Sequence, residues 1–348
     1  MELFWFCMLA FMLTMYVVLD GFDLGAGAIH LLAARTDEER RLILNAIGPV
    51  WDGNEVWLIA AGGVLYFAFP VLYASSFSGF YLPLMIVLWL LMLRGLGIEF
   101  RHRIQSPMWK TFWDTVFFLG SFFLAIFFGA ALGNVVRGVP LNADGYFFEP
   151  LWTTFTVVPE AGILDWFTIL MGLVALITLV LHGGNFIAMK TAGAVQDRAR
   201  RLAVRAWWGT LLTSVCAVAA VSQIRPQIWD NYFAHPWGFL FPATGAAGLL
   251  AIFFSHGRRK DGAAFFSSAA FIVGMLGATA FGLFPNLLPA STDPAHSLTV
   301  YNSAAQEYGL SVGVVWFAIG MVLALGYFTF IFMMQRGKLK LPAEGEGY

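Results

Sequence analysis

The sequence predicts an all-α integral membrane protein of about nine transmembrane helices, arranged as two four-helix units plus one extra helix. Three observations carry this. Of 348 residues, 59% are apolar and only 12% are charged, about half the charged share of a soluble domain. Apolar stretches of about 20 residues, the length that crosses a bilayer core, recur along the whole chain. The basic residues alternate: all of the 20 lysines and arginines except Arg137 and Arg225 fall in every second connection, the asymmetry that orients helices in a membrane. The net charge of −1 offers no electrostatic footprint for a nucleic acid.

The first span, 3 to 31, begins directly after Met1-Glu2 with no basic leader and outruns the apolar core of a signal peptide. It is therefore read as a retained helix. Spans 48 to 70 and 76 to 98 share an uncharged run from Val56 to Leu93. That run is too long for one crossing, and Pro70 with Ser75-Ser76 predicts a tight hairpin inside it. Spans 113 to 133, 163 to 187, 204 to 223, 238 to 255, 263 to 284 and 310 to 334 follow. The basic connections hold Arg35 to Arg41, Arg94 to Lys110, Lys190 to Arg205, Arg258 to Lys260 and Arg336 to Lys340. This places the N-terminus outside and the C-terminus in the cytoplasm.

Val18-Leu19-Asp20-Gly21 on the first span resembles Val180-Leu181-His182-Gly183 on the fifth, which runs in the same direction. A parallel repeat would produce this, and so would chance similarity between apolar helices. On the repeat reading, 1–155 is a first four-helix unit, 156–285 a second, and 286–348 an outer loop, ninth helix and cytoplasmic tail. The outer loops, roughly 134 to 162 and 285 to 309, are rich in Pro, Gly, Asn and Trp, as expected of ordered caps or partner contacts. Cys7 and Cys216 sit in apolar runs and are expected to be buried structural thiols. Gly129 and Gly133 at GxxxG spacing permit close helix approach. Trp109, Trp113, Trp207 and Trp208 suit interfacial belts.

Carboxylates inside a span cost roughly 2.5 to 3.5 kcal/mol each on insertion scales, and this chain concentrates them. Asp20 and Asp23 are three residues apart and share a helix face. Asp52 and Glu55 repeat that spacing in Trp51-Asp52-Gly53-Asn54-Glu55, near the start of the second span. Glu99 ends the third, between Arg94 and Arg101. All five acids fall between the membrane centre and its cytoplasmic side, so a proton path is one reading of them. The other is packing, with the acids hydrogen-bonding neighbouring helices or pairing with Arg94. Trp51, Asn54, Arg94 and Arg101 are supporting polar or partner contacts in either case. His30 and His182 lie on spans without the pattern a haem pocket needs, and a satisfied structural role is expected for both. No metal-binding, phosphate-binding or nucleophile motif occurs. No metal is therefore expected in this chain, and hydrolase and soluble nucleotide-enzyme readings have no support.

At this point a resemblance can be stated. Asp20-Gly21-Phe22-Asp23-Leu24-Gly25, Trp51-Asp52-Gly53-Asn54-Glu55-Val56-Trp57-Leu58, Gly62-Gly63, Ser78-Gly79-Phe80-Tyr81 and Arg94 to Arg101 resemble subunit 2 of the cytochrome bd ubiquinol oxidases. The similarity continues through Gly133 to Pro140, Phe284-Pro285 and Ser297-Leu298-Thr299. It implies a subunit of a bacterial terminal oxidase that oxidises quinol and reduces dioxygen to water. In that family two haems b, one haem d and the quinol site belong to subunit 1, the expected partner, which implies no catalytic group in this chain. Asp20, Asp23, Asp52 and Glu99 then match acids proposed to conduct protons toward it. The resemblance also allows a structural quinone, lipids and a small accessory subunit, with no residue here identifying their sites. A proton-coupled secondary transporter remains the alternative suggested by the same acids and the Gly-rich first span.

Overall fold

The computed structural model describes residues 1–339. It runs α1 (Glu2–Ala33), α2 (Asp37–Ile47), α3 (Trp51–Ala68), α4 (Pro70–Gly79), α5 (Tyr81–Phe100), α6 (Pro107–Arg137), α7 (Trp166–Lys190), α8 (Gly193–Ile224), α9 (Ile228–Ala234), α10 (Leu240–Gly257) and α11 (Asp261–Leu283). The short antiparallel strands β1 (Asn286–Leu288) and β2 (Leu298–Thr299) precede α12 (Glu307–Met334). Lys340, counted above among the basic residues, and the rest of the tail to 348 lie outside the described residues.

Among the described residues, eight helices are long and apolar enough to cross a membrane: α1, α5, α6, α7, α8, α10, α11 and α12. The remaining expected span corresponds to α3, 18 residues long. Its polar start, Asp52-Gly53-Asn54-Glu55, makes it less apolar than the others. The expected tight hairpin is instead a helix, α4, set off from α3 at Phe69-Pro70 and from α5 at Phe80. Proline at its first position explains the break, because the ring is tolerated in a first turn but cannot continue the preceding helix.

The centre of the molecule is α1, which packs against α3, α6, α7 and α11. Every residue from Asp20 to His30 is buried, as expected of a helix with neighbours all round. Its closest approach is to α7: a β-carbon on Gly25 would fall on the Leu179 carbonyl oxygen, and one on Gly183 would meet the Gly25 backbone. The Gly129 and Gly133 pair serves the same purpose between α6 and α7, where the neighbours are Met171, Gly172 and Thr168. At the periphery, α12 buries only Leu310 among its described residues and turns Trp316 and Leu323 outward. Cys7 and Cys216 are exposed, correcting the expectation of buried thiols. The outside of a membrane helix is itself apolar, so an apolar run does not tell an inward thiol from an outward one.

The two long connections, 138–165 and 284–306, are held together by hydrogen bonds. Val139 N–H donates to the Pro289 carbonyl (3.0 Å) and Ser291 N–H to the Val139 carbonyl (2.8 Å), tying one loop to the other. Beneath them Arg137, at the end of α6, donates to Glu149 (2.7 Å), Asp165, the Gly162 carbonyl (3.0 Å) and Asn134 (2.7 Å). Asp165 also caps α7 by accepting from the Phe167 and Thr168 amides, both at 2.8 Å. One guanidinium thus serves two buried carboxyl groups. Burial pushes the Glu149 carboxyl up to about 8 against the opposing pull of Arg137.

The ordinary value is 4.5, so the folded protein holds this proton more tightly than the unfolded chain. Stability is therefore lost as pH rises through that window. Glu149→Gln, which keeps the acceptor but cannot ionise, should flatten the fall in thermal midpoint between about pH 5 and pH 8. A scan of midpoint against pH for both proteins checks this, and parallel curves would reject it.

Candidate functional site

Three helices build the central polar cluster. On α1, Asp20 and Asp23 are both buried and share one face. From α5, the buried Arg94 donates through Nη1 to Asp20 Oδ2 (2.9 Å), and its Nη2 lies 2.8 Å from Asp20 Oδ1. The same Nη2 donates to Glu55 Oε1 of α3 at 2.6 Å. Asn54, also on α3, donates through Nδ2 to Asp23 Oδ2 (2.7 Å) and to the Leu19 carbonyl (3.3 Å). The Arg94 guanidinium carbon stands 5.9 Å from the centre of the Trp51 ring, a cation–π distance.

The paired donor fork of arginine matches a carboxylate as a lysine ammonium cannot. Asp20 and Glu55 pair with this single guanidinium while Asp23 is held by Asn54, so the three acids and one cation of the cluster reach neutrality only by taking up two protons. Exposure falls in order along the acids: Asp52 is exposed, Glu55 half-buried and Asp20 fully buried. Glu99 is half-buried, five residues past Arg94 on α5.

Arg101 belongs to a second cluster at the basic end. It donates through Nε to Asp114 Oδ1 (2.6 Å) and through Nη2 to Asp37 Oδ1 (2.7 Å). Asp114, buried near the start of α6, also accepts from Arg40 (3.0 Å) and lies 2.7 Å from His30 Nε2. Lys110 donates to Asp37 at 3.0 Å. Partial burial raises the Asp37 carboxyl, but the hydrogen bonds from Lys110 and Arg101 outweigh it and hold the group below its ordinary range. Three cations meet two acids here, so this cluster has no excess of acid, unlike the one beside it, and its hydrogen bonds tie α1, α2, α5 and α6 together.

The two histidines on the spans differ in how they are held. His182 lies with Nε2 2.9 Å from the Val18 carbonyl and Nδ1 2.7 Å from Ser268 Oγ, and stacks on Phe265 at 4.9 Å. Both His182 ring nitrogens are thus engaged, whereas His30 is tied to Asp114 through Nε2 and its Nδ1 is buried without a hydrogen-bond partner. Among the described residues no group of three or more His, Cys, Asp or Glu is placed to hold a metal.

With this geometry in view, the comparison with known proteins is decisive. Residues 1–335 match the family described as cytochrome bd terminal oxidase subunit II. The chain belongs to that family. Among its relatives, the probable cytochrome oxidase subunit 2 of Haemophilus influenzae is 35% identical over 96% of this chain and 94% of that protein. The cytochrome bd-I ubiquinol oxidase subunit 2 of Escherichia coli K12 is 31% identical over 93% and 91%, and the Bacillus subtilis cytochrome bd ubiquinol oxidase subunit 2 is 32% identical over 88% of each. The fold is shared with a chain of the bd oxidase structure from Geobacillus thermodenitrificans, at a TM-score of 0.73 and 20% identity over 96% of this chain and 98% of that one.

For this subunit II chain, sequence reading singled out Asp20, Asp23, Asn54, Glu55, Arg94 and Trp51, which the fold brings together. It grouped Arg101 with them, whereas Arg101 serves the neighbouring cluster. Asp114 was missed. Its signal was an acid directly after Trp113 in the first turns of a span, a short connection away from Arg101. Glu149 and Asp165 gave no local signal, since both lie in a long polar loop where acids are ordinary.

Proposed function

We propose that this chain is the haem-free subunit of a bacterial quinol:oxygen terminal oxidase, scaffolding a haem-bearing subunit 1 and supplying part of a cytoplasmic proton path for the reduction of dioxygen to water. The observation that carries the path is the acid excess around Arg94, reached by acids of decreasing exposure from Asp52 through Glu55 to Asp20. Protons taken up at Asp52 would pass to Glu55 and then share the buried site with Asp20 and Asp23, where Arg94 and Asn54 hold the carboxyl groups in fixed orientation. Glu99 would serve the same cluster from α5. Two haems b, one haem d and the quinol chemistry belong to subunit 1 in this reading, and the full engagement of the His182 ring supports that division of labour. The basic connections favour a cytoplasmic C-terminus and an external N-terminus. The transporter alternative is set aside, because the named relatives are oxidase subunits.

The test uses the assembled oxidase. Asp20→Asn and Asp52→Asn are each expected to slow quinol-driven oxygen consumption per haem by about tenfold, equivalent to 1.4 kcal/mol on the barrier, with haem content unchanged. Normal turnover in both variants would reject the proton path and leave the scaffold role standing.

A further inference from the structure

We propose that the groove between α8 and α10, at the basic end of the molecule, binds an anionic phospholipid, with an acyl chain against Trp208 and Phe253 and the phosphate on Arg258, Arg201 and Arg205. The groove has a volume of about 420 Å³, is walled by Val204, Trp207, Trp208 and Phe253, and ends at Arg258. Its floor is fixed rather than collapsible. The Trp207 indole N–H donates to the Leu249 carbonyl at 2.8 Å, and its ring lies 5.1 Å from that of Phe253 and 4.7 Å, edge-on, from that of Trp208.

The cations at its mouth distinguish this groove from ordinary lipid-facing surface. Nearby on α8, Arg198 pairs with Glu39 and Arg200 with Asp261. Arg201, Arg205 and Arg258 are exposed and have no acidic partner among the described residues. Arg201 and Arg205 share a helix face with Val204 and Trp208 through three- and four-residue spacings, and Arg258 follows Phe254 by four residues at the end of α10. Charge therefore gathers at one end of the groove and aromatic surface fills the rest. An amphiphile with an anionic head complements that separation, and basic pockets between helices at the membrane boundary bind such headgroups. The inference needs only that the basic end lies in a headgroup layer, whichever leaflet that is, so it stands apart from the proton path.

The assembled complex in lipid nanodiscs provides the test, with brominated phosphatidylglycerol and brominated phosphatidylcholine as quenchers at low ionic strength. The Trp208 signal is isolated by difference from Trp208→Phe. Phosphatidylglycerol should quench it at least about fivefold more effectively than phosphatidylcholine, the gain from one engaged arginine. The preference should vanish in the double variant R201Q/R258Q and survive in R336Q, which removes an exposed cation at the end of α12. Equal quenching by the two lipids, or a preference that persists in R201Q/R258Q, overturns the site. So does the absence of quenching by either lipid, since the groove would then be covered by protein.

Discussion

Arg94→Met should all but abolish accumulation of the folded complex. The change leaves Asp20 buried beside Glu55 with the shared guanidinium gone. Removing one partner of a buried ion pair costs about 3–5 kcal/mol, because the other charge is stranded, against a total stability of about 5–15 kcal/mol. Complex extracted in mild detergent and followed by size exclusion and thermal midpoint gives the measure. Arg94→Lys, which keeps the charge but loses the fork, should fall between the variant and the parent. Adding Asp20→Asn to Arg94→Met should restore part of the loss, as coupled neighbours do in a double-mutant cycle. Wild-type yield and melting in Arg94→Met would show that the pair contributes nothing to the fold.

Gly25→Val should be comparably severe for a different reason. The new side chain has to enter space filled by the Leu179 carbonyl and the Gly183 amide of α7, which are backbone and cannot rotate away. The two helices must separate along a seam that includes the His182 contact to Val18, so the cost lies at or above the roughly 1–3 kcal/mol of ordinary overpacking. Gly62→Ala is the control, because a β-carbon there meets nothing within 4 Å. Gly25→Val should lose most of its yield in the same size-exclusion assay while Gly62→Ala matches the parent. Equal behaviour of the two would mean that the α1–α7 crossing tolerates separation.

What could be read from the sequence was what depends on neighbours along the chain. The spacing of Asp20 and Asp23 put both carboxyl groups on one face of α1, and their cost in a membrane demanded partners; Arg94 was the buried cation within reach. Long apolar runs located the helices, with α4 the exception, because an uncharged run with proline and serines reads equally as a turn or as a short helix. Contacts between distant parts of the chain were not legible. Asp114 meets His30 and Arg101 only after α1, α5 and α6 have packed, and Arg137 finds Glu149 and Asp165 across a folded loop. The outward cysteines mark a further limit, since lipid and protein interior reward the same residue types.

The central position of α1 bears on how the protein is made. Two of the helices that enclose it, α7 and α11, are synthesised well after it. At roughly 5–20 residues per second, the wait between α1 and α7 is on the order of ten seconds. During that time Asp20 and Asp23 sit in a helix whose packing is unfinished. Arg94 emerges within the interval, so the cation that pairs with Asp20 is available before the α7 backbone that packs against Gly25. A helix made before most of its neighbours is thus completed late, and its carboxyl groups draw on a cation synthesised before the α7 backbone that packs against it.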